Sequence, residues 1–123
     1  MGKEIKLKVI GGHMKKTKRS RATDITTNIR KQVLNRDNFA CIICGNNRTL
    51  TMAHFLSRAK GGLGIPQNLV TMCMSCHHKI DNGKSKEVAD NLTLAVKSYL
   101  HSKYAGSWNE KDLKYDKWRM LNE

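Results

Sequence analysis

CIICGNNRTLTMAHFLSRAKGGLGIPQNLVTMCMSCHHKID, residues 41–81, decides the reading of this chain. Two Cys-x-x-Cys pairs, Cys41/Cys44 and Cys73/Cys76, with 28 residues between them, bracket His54 and Asn68, and His77 follows the second pair at once. Each pair sets two sulfurs on one tight turn, and together they supply the four tetrahedral thiolates that zinc prefers. Four thiolates leave no open coordination position, so a zinc held by Cys41, Cys44, Cys73 and Cys76 is expected to be structural. Cys73-Met-Ser-Cys76-His77 also fits the C-x-x-C-H pattern of haem attachment. That chemistry needs an export signal and leaves Cys41 and Cys44 without a role.

Working outward, Thr49 to Leu56 alternates as a strand does, with Leu50, Met52 and His54 on one side and Thr51, Ala53 and Phe55 on the other. Gly61, Gly62, Gly64 and Pro66 make residues 58–67 a loop, and Asn68 to Cys73 suits a second strand. A helix from Ser75 or Cys76 runs through His77 and Asp81 until Asn82-Gly83 stops it. Gly45, after the first pair, is placed for a positive φ. Before the cluster, Ile25, Ile29 and Val33 recur every four residues, which predicts a helix over Asp24–Asn35 capped by Thr23 or Asp24. After it, Glu87–Tyr99 reads as a helix with Val88, Leu92, Ala95, Val96 and Tyr99 on one face. Ser107-Trp108-Asn109-Glu110 begins like a capping box for a short helix, and Trp108, Leu113, Tyr115 and Trp118 are expected to dock that tail on the core.

The whole chain bounds the function. It has 123 residues, the length of one domain, and a modest apolar content of 39%, so a metal staple adds what a small core lacks. No apolar run reaches membrane-spanning length, and the basic N-terminus lacks a signal-peptide stretch, which points to the cytoplasm. In that compartment four cysteines are metal ligands rather than disulfides. Net charge is +13: residues 1–21 hold eight Lys or Arg against one Glu, and the remainder holds fifteen against nine acids. Such a balance favours a polyanion, and nucleic acid is the obvious one, although surplus lysine also serves solubility. Gly11-Gly12-His13-Met14 resembles a cloning junction, so 1–14 are set aside from the fold, and 1–21 read as a basic, disordered arm. Residues 22–104 form the expected domain and 105–123 a tail with a short helix.

The run from His54 through Asn68 to Cys73, Cys76 and His77 resembles the HNH endonuclease family, closest to the small HNH proteins of bacteriophages and prophages. The likeness covers roughly Val33 to Asp81, including the Arg36-Asp37 approach to Cys41. It implies a small α+β fold, a ββα-metal core in which two strands and a helix surround one divalent ion, here stapled by the four-cysteine zinc site. By position it makes His54 the general base, Asn68 the middle Asn and His77 a metal ligand that opens the helix. Asp81 falls one turn after His77, where many members carry a second metal-binding His, and an i, i+4 pair shares one helix face. A carboxylate there favours Mg or Mn over Zn. The departure is Ala53: many members carry Asp or His at that position as a further ligand. The ion is then left with His77, Asp81, waters and substrate phosphate, with the Asn68 amide oxygen a further candidate.

The implied activity is a metal-dependent DNA endonuclease, nicking or cutting duplex DNA with Mg, Mn, Ni or Zn as the catalytic ion. Arg58 and Lys60 beside the site, and Lys15, Lys16, Lys18, Arg19 and Arg21 in the arm, are the expected DNA contacts. These give affinity rather than base readout. Partners in phage packaging or recombination belong to the same implication. A zinc-stapled nucleic-acid-binding module whose site is weak or lost is the alternative reading, and a homing or restriction component directed by a partner is a third. The sequence leaves target, oligomeric state and preferred ion open.

Overall fold

The structure, a computed structural model, describes residues 17–117. Lys15, Lys16 and Trp118 lie outside them, as does the stretch 1–14. Among the described residues, four helices and one hairpin make the frame: α1 (Lys18–Thr23), α2 (Thr27–Arg36), β1 (Leu50–His54), β2 (Leu69–Cys73), α3 (Met74–Asp81) and α4 (Lys86–Lys103). Short 3-10 turns lie at Arg58–Lys60, Pro66–Asn68 and Glu110–Leu113. This is the small α+β, ββα-metal-like arrangement the sequence leads one to expect.

β1 and β2 pair antiparallel with Leu50 opposite Cys73, Met52 opposite Thr71, Ala53 opposite Val70 and His54 opposite Leu69. Alternation then assigns the two faces. Met52 and Leu69 pack with Val33 of α2, joined by Ile25, Ile29 and Leu34. Ala53, Val70 and Met72 pack on the other face with Cys76 of α3 and Val96 and Leu100 of α4. All five residues of β2 are buried. That suits a strand covered on both faces, with Thr71 its one polar side chain.

β1 is shorter than the Thr49–Leu56 of the sequence pattern. Thr49 takes a positive φ of 49°, which ends the strand at one side. At the other, the Leu56 N–H bonds the Asn68 side chain instead of a strand partner. The helix expected from Asp24 begins at Thr27, because Thr26 rather than Thr23 or Asp24 accepts the free N–H of Ile29. Thr23 and Asp24 instead close α1, so the arm expected to be disordered through residue 21 is helical from Lys18.

α4 runs four residues past Tyr99 and buries Val96 and Leu100. Its first turn projects beyond the core, leaving Val88, expected on the apolar face, 43% exposed. The tail turn is capped by Asn109, whose Oδ1 accepts from Lys111 N, not by Ser107. The tail docks as expected: Leu113 is buried, Trp108 stacks edge-on against Phe55, and the Trp108 Nε1–H donates to Gln67 O at 2.8 Å. Tyr115 N donates to Gly61 O and Leu63 N to Leu113 O, both at 2.8 Å, which sews the tail to the 56–68 loop.

A buried polar strut lies behind the hairpin. Arg36, at the end of α2, donates to Pro66 O and Leu69 O at 2.7 Å, gripping both sides of the turn that carries Asn68. Asp37 pairs with Arg36 at 2.7 Å and accepts from Thr71 N and the Tyr99 hydroxyl. A buried charge is tolerated only when paired and fully bonded, and here both partners are.

Candidate metal centre and active site

The knuckle Cys41–Cys44 hangs on the edge of β2 through Ile42 N to Thr71 O at 3.0 Å. Gly45, at φ 79°, closes its turn by donating to Cys41 O. Cys73 ends β2 and caps α3, so Cys76 sits in the first turn of that helix. The hairpin register puts Cys73 beside Leu50, at the end of β1 nearest the knuckle. All four sulfurs consequently lie within 4.8 Å of one another, with Cys44 Sγ and Cys73 Sγ 3.7 Å apart. A tetrahedral ion with bonds of about 2.3 Å has sulfur–sulfur edges of roughly 3.8 Å. The four cysteines thus form a site able to hold a metal ion, with donors suited to zinc. Burial raises the Cys41 thiol, but N–H groups of Cys44, Cys73 and Ile43 outweigh it and hold Cys41 down to about 7. Burial, with Cys73 and Cys41 alongside, pushes Cys76 up to about 12. Four thiolates this close repel one another, and a bound cation is what reconciles them.

His54 and Asn68 stand at the opposite end of the hairpin. Asn68 is fully buried and uses its whole amide: Oδ1 accepts from Leu56 N at 2.8 Å, and Nδ2 donates to Leu63 O at 2.8 Å and Leu56 O at 3.1 Å. It ties the ends of the 56–63 loop together. The amide thus serves the loop, with one Oδ1 lone pair engaged by the Leu56 N–H. Gly62 completes the knot, since a Cβ there would stand 1.7 Å from Leu56 O.

The His54 ring is half-buried and its Nε2 lies 3.1 Å from Thr23 O. A carbonyl only accepts, so this bond places the proton on Nε2 and leaves the Nδ1 lone pair available. Burial lowers the imidazole pKa below its ordinary value; the Thr23 carbonyl opposes this, and the charges of Arg58 and His77 add to it. His54 is therefore neutral at neutral pH.

From α3, His77 Nδ1 meets Thr51 Oγ1 at 2.7 Å and His77 Nε2 meets Asp81 Oδ2 at 3.1 Å. The Thr51 hydroxyl spends its one proton on Met72 O at 2.8 Å, so it accepts from His77 Nδ1–H. Nε2 and the carboxylate then face each other across a gap that a proton or a cation fills. Beside them a cavity of about 20 Å³, room for about one water, is lined by Ala53, His54, Phe55, His77, Ile80 and Asp81. Ala53 thus borders the His77–Asp81 pair, where a longer acidic side chain would meet it. Among the described residues, the cysteines are the one group of three or more ligand types close enough to share an ion.

The basic candidates are engaged more than expected. Arg58 pairs with Asp24 at 2.5 Å, and Arg19 Nη2 donates to Ala59 O at 3.0 Å. Lys18 and Lys60 are exposed. Thr51 and Thr23 carry no sequence signal as site residues. Strand alternation puts Thr51 on the Ala53 face, but only the folded helix brings His77 to it.

A family model described as HNH endonuclease matches residues 41–83. Anaredoxin, from Nostoc sp., is 35% identical over 57 residues, 46% of this chain and 75% of that protein. The chain belongs to the HNH endonuclease family. A solved restriction endonuclease described as Type IV and phosphorothioation-dependent, ScoMcrA, superposes with a TM-score of 0.52 at 24% identity over 75% of this chain. That likeness concerns the fold, and the chain spans 20% of that protein's length. No helix among the described residues is long and apolar enough to cross a membrane.

Proposed function

We propose that this HNH protein hydrolyses phosphodiester bonds in DNA with His54 as general base and a divalent ion on His77 and Asp81. The observation that carries this reading is the meeting at one small cavity of a neutral, tautomer-fixed His54 and the His77–Asp81 pair. Two ligands in adjacent positions, each about 2.1 Å from an ion, lie roughly 3.0 Å apart. The separation of 3.1 Å between His77 Nε2 and Asp81 Oδ2 fits that spacing. A carboxylate beside the imidazole makes a harder donor set than two imidazoles would, more open to Mg or Mn. Such an ion supplies charge for the scissile phosphate and the leaving oxygen.

The protein's own part follows from its atoms. His54 Nδ1 takes a proton from water as the water oxygen bonds to phosphorus. The bond from phosphorus to the 3′ oxygen breaks, and that oxygen keeps the electron pair and is protonated by solvent. The products are a 5′-phosphate and a 3′-hydroxyl. Asn68 holds the loop that follows His54. Thr51 orients His77, as partners behind a metal-bound imidazole commonly do. Lys18 and Lys60, with the Lys15 and Lys16 of the arm, contribute phosphate affinity.

Ala53 favours a second reading, a nucleic-acid-binding module without cleavage, because it leaves the ion two protein ligands. Incubating supercoiled plasmid with the protein and Mg, Mn, Ni or Zn separates the two. Metal-dependent nicking that disappears in Asp81→Ala supports the enzyme. Retained DNA binding with no nicking in any metal supports the binding module. Ala53→Asp is expected to tighten Mn binding in calorimetry.

A further inference from the structure

α1 contributes no residue to either apolar cluster, yet polar contacts lace it to the active-site loop. Arg19 Nη2 donates to Ala59 O at 3.0 Å and reaches Arg58 O at 3.4 Å. Gly64 N donates to Ala22 O at 2.9 Å. Asp24, just past the helix, pairs with Arg58. Thr23, buried between these anchors, turns its carbonyl to His54 Nε2. The approach depends on Gly64: a Cβ there would stand 2.0 Å from Asp24 O and 3.1 Å from Thr23 O. The segment lies outside the stretch matched to the family, residues 41–83.

We infer that residues 18–24 are a positioning strap for the active site, whose Thr23 carbonyl fixes the His54 proton on Nε2 so that Nδ1 is the base. This rests on the reading of His54 given above. An imidazole has two neutral tautomers, and only the one with a bare Nδ1 can take the water proton in that orientation. Without the carbonyl the ring distributes between tautomers and rotates about its side-chain bonds. The strap docks by carbonyls and charges, through Arg19, Ala22 and Asp24. It also carries Lys18, exposed at its start.

Two variants of the full chain test this. Gly64→Ala pushes the strap off His54, and Arg19→Ala releases its far anchor at an exposed position. Metal content at the cysteines and far-ultraviolet circular dichroism report whether each folds. Nitrogen-15 spectra of the ring, recorded where His54 is neutral, report the tautomer. Wild type is expected to show Nε2–H alone. Gly64→Ala is expected to show a mixture, with kcat down by about tenfold or more and KM for DNA within about twofold. Arg19→Ala is expected to move both readouts less in the same direction, and Arg19→Lys, able to reach one carbonyl, to restore part of the loss. A wild-type ring protonated on Nδ1 overturns the strap. So do an unchanged tautomer and kcat in both variants, or in Arg19→Ala alone if Gly64→Ala does not fold. A wild-type ring with Nε2–H in a protein that cuts nothing overturns the nuclease reading and leaves the strap standing.

Discussion

His54 and His77 are both imidazoles, and their surroundings give them different work. His54 is half-buried, holds its proton on Nε2 against a carbonyl, and has its pKa lowered by burial and by nearby positive charge. A base whose folded pKa lies below the ordinary value stays deprotonated further into acid. The acidic limb of kcat/KM against pH, which reports the free enzyme, is therefore expected below 6.5, the unperturbed His value; a limb above it contradicts the assignment. His77 donates Nδ1–H to Thr51, which leaves Nε2 for Asp81 or an ion. Thr51→Val keeps strand propensity and removes that partner. Metal affinity measured by titration is expected to drop by about 10–100-fold while circular dichroism is unchanged. Asn68 answers to packing as well as chemistry. Asn68→Ala leaves Leu56 and Leu63 backbone groups buried without partners. Urea unfolding is expected to show a loss of roughly 2–4 kcal/mol, since each such group costs about 1–3 kcal/mol. Of these site residues, His54, Asn68, His77 and Asp81 are legible in the sequence through its resemblance to the HNH family, with the i, i+4 spacing of His77 and Asp81 beside it. Thr51 and the Thr23 carbonyl are not, because a threonine hydroxyl and a main-chain oxygen look the same in every chain.

The hairpin divides its labour along its length. Cys73 opposite Leu50 anchors the sulfur site at one end, and His54 opposite Leu69 stands at the other, with α3 returning from the first to the second. Cys41→Ser removes one ligand, and the variant is expected to lose both metal and helical signal; metal analysis with circular dichroism checks it. A folded, metal-free variant contradicts the stapling role. α2 and α4 meet through Arg36, Asp37, Tyr99 and Tyr104. Asp37 is desolvated, but Arg36, Tyr99 and the Thr71 N–H outweigh burial and hold its pKa below the usual 3.8. A depressed folded pKa gives stability above the unfolded value that is lost as pH falls through the folded one. Thermal unfolding of wild type is expected to lose stability below about pH 4, and Asp37→Asn to lack that component. The hairpin, α3 and the body of α4 are legible in the sequence because their patterns are local: Cys spacing, alternation of two, recurrence of three and four. α1 is not. Its sequence KRSRAT has no apolar stripe, and what makes it helical and docks it are a Thr17 cap and contacts to residues some forty positions away. Val88 falls on the apolar face by periodicity and is exposed in the fold. Periodicity says which side a residue takes and not whether a neighbour extends far enough to cover it.

As a whole, the chain is a small core built around one four-sulfur metal site, with its charge spread over tail and body. A net charge of +13 favours phosphate backbones without reading bases. DNA affinity is expected to fall steeply between about 50 and 200 mM salt and to vary little with sequence, as fluorescence anisotropy on unrelated duplexes will show. The sulfur site and the reacting groups are separate, so loss of activity and loss of fold are separable in one sample. The most direct measurement is the single-turnover cleavage rate of a DNA duplex by wild type and His54→Ala, each shown to carry its cysteine-bound metal and to bind the duplex equally. The rate of His54→Ala is expected to be lower by about 100-fold or more, as for the loss of a general base. Equal rates in the two proteins would contradict the account.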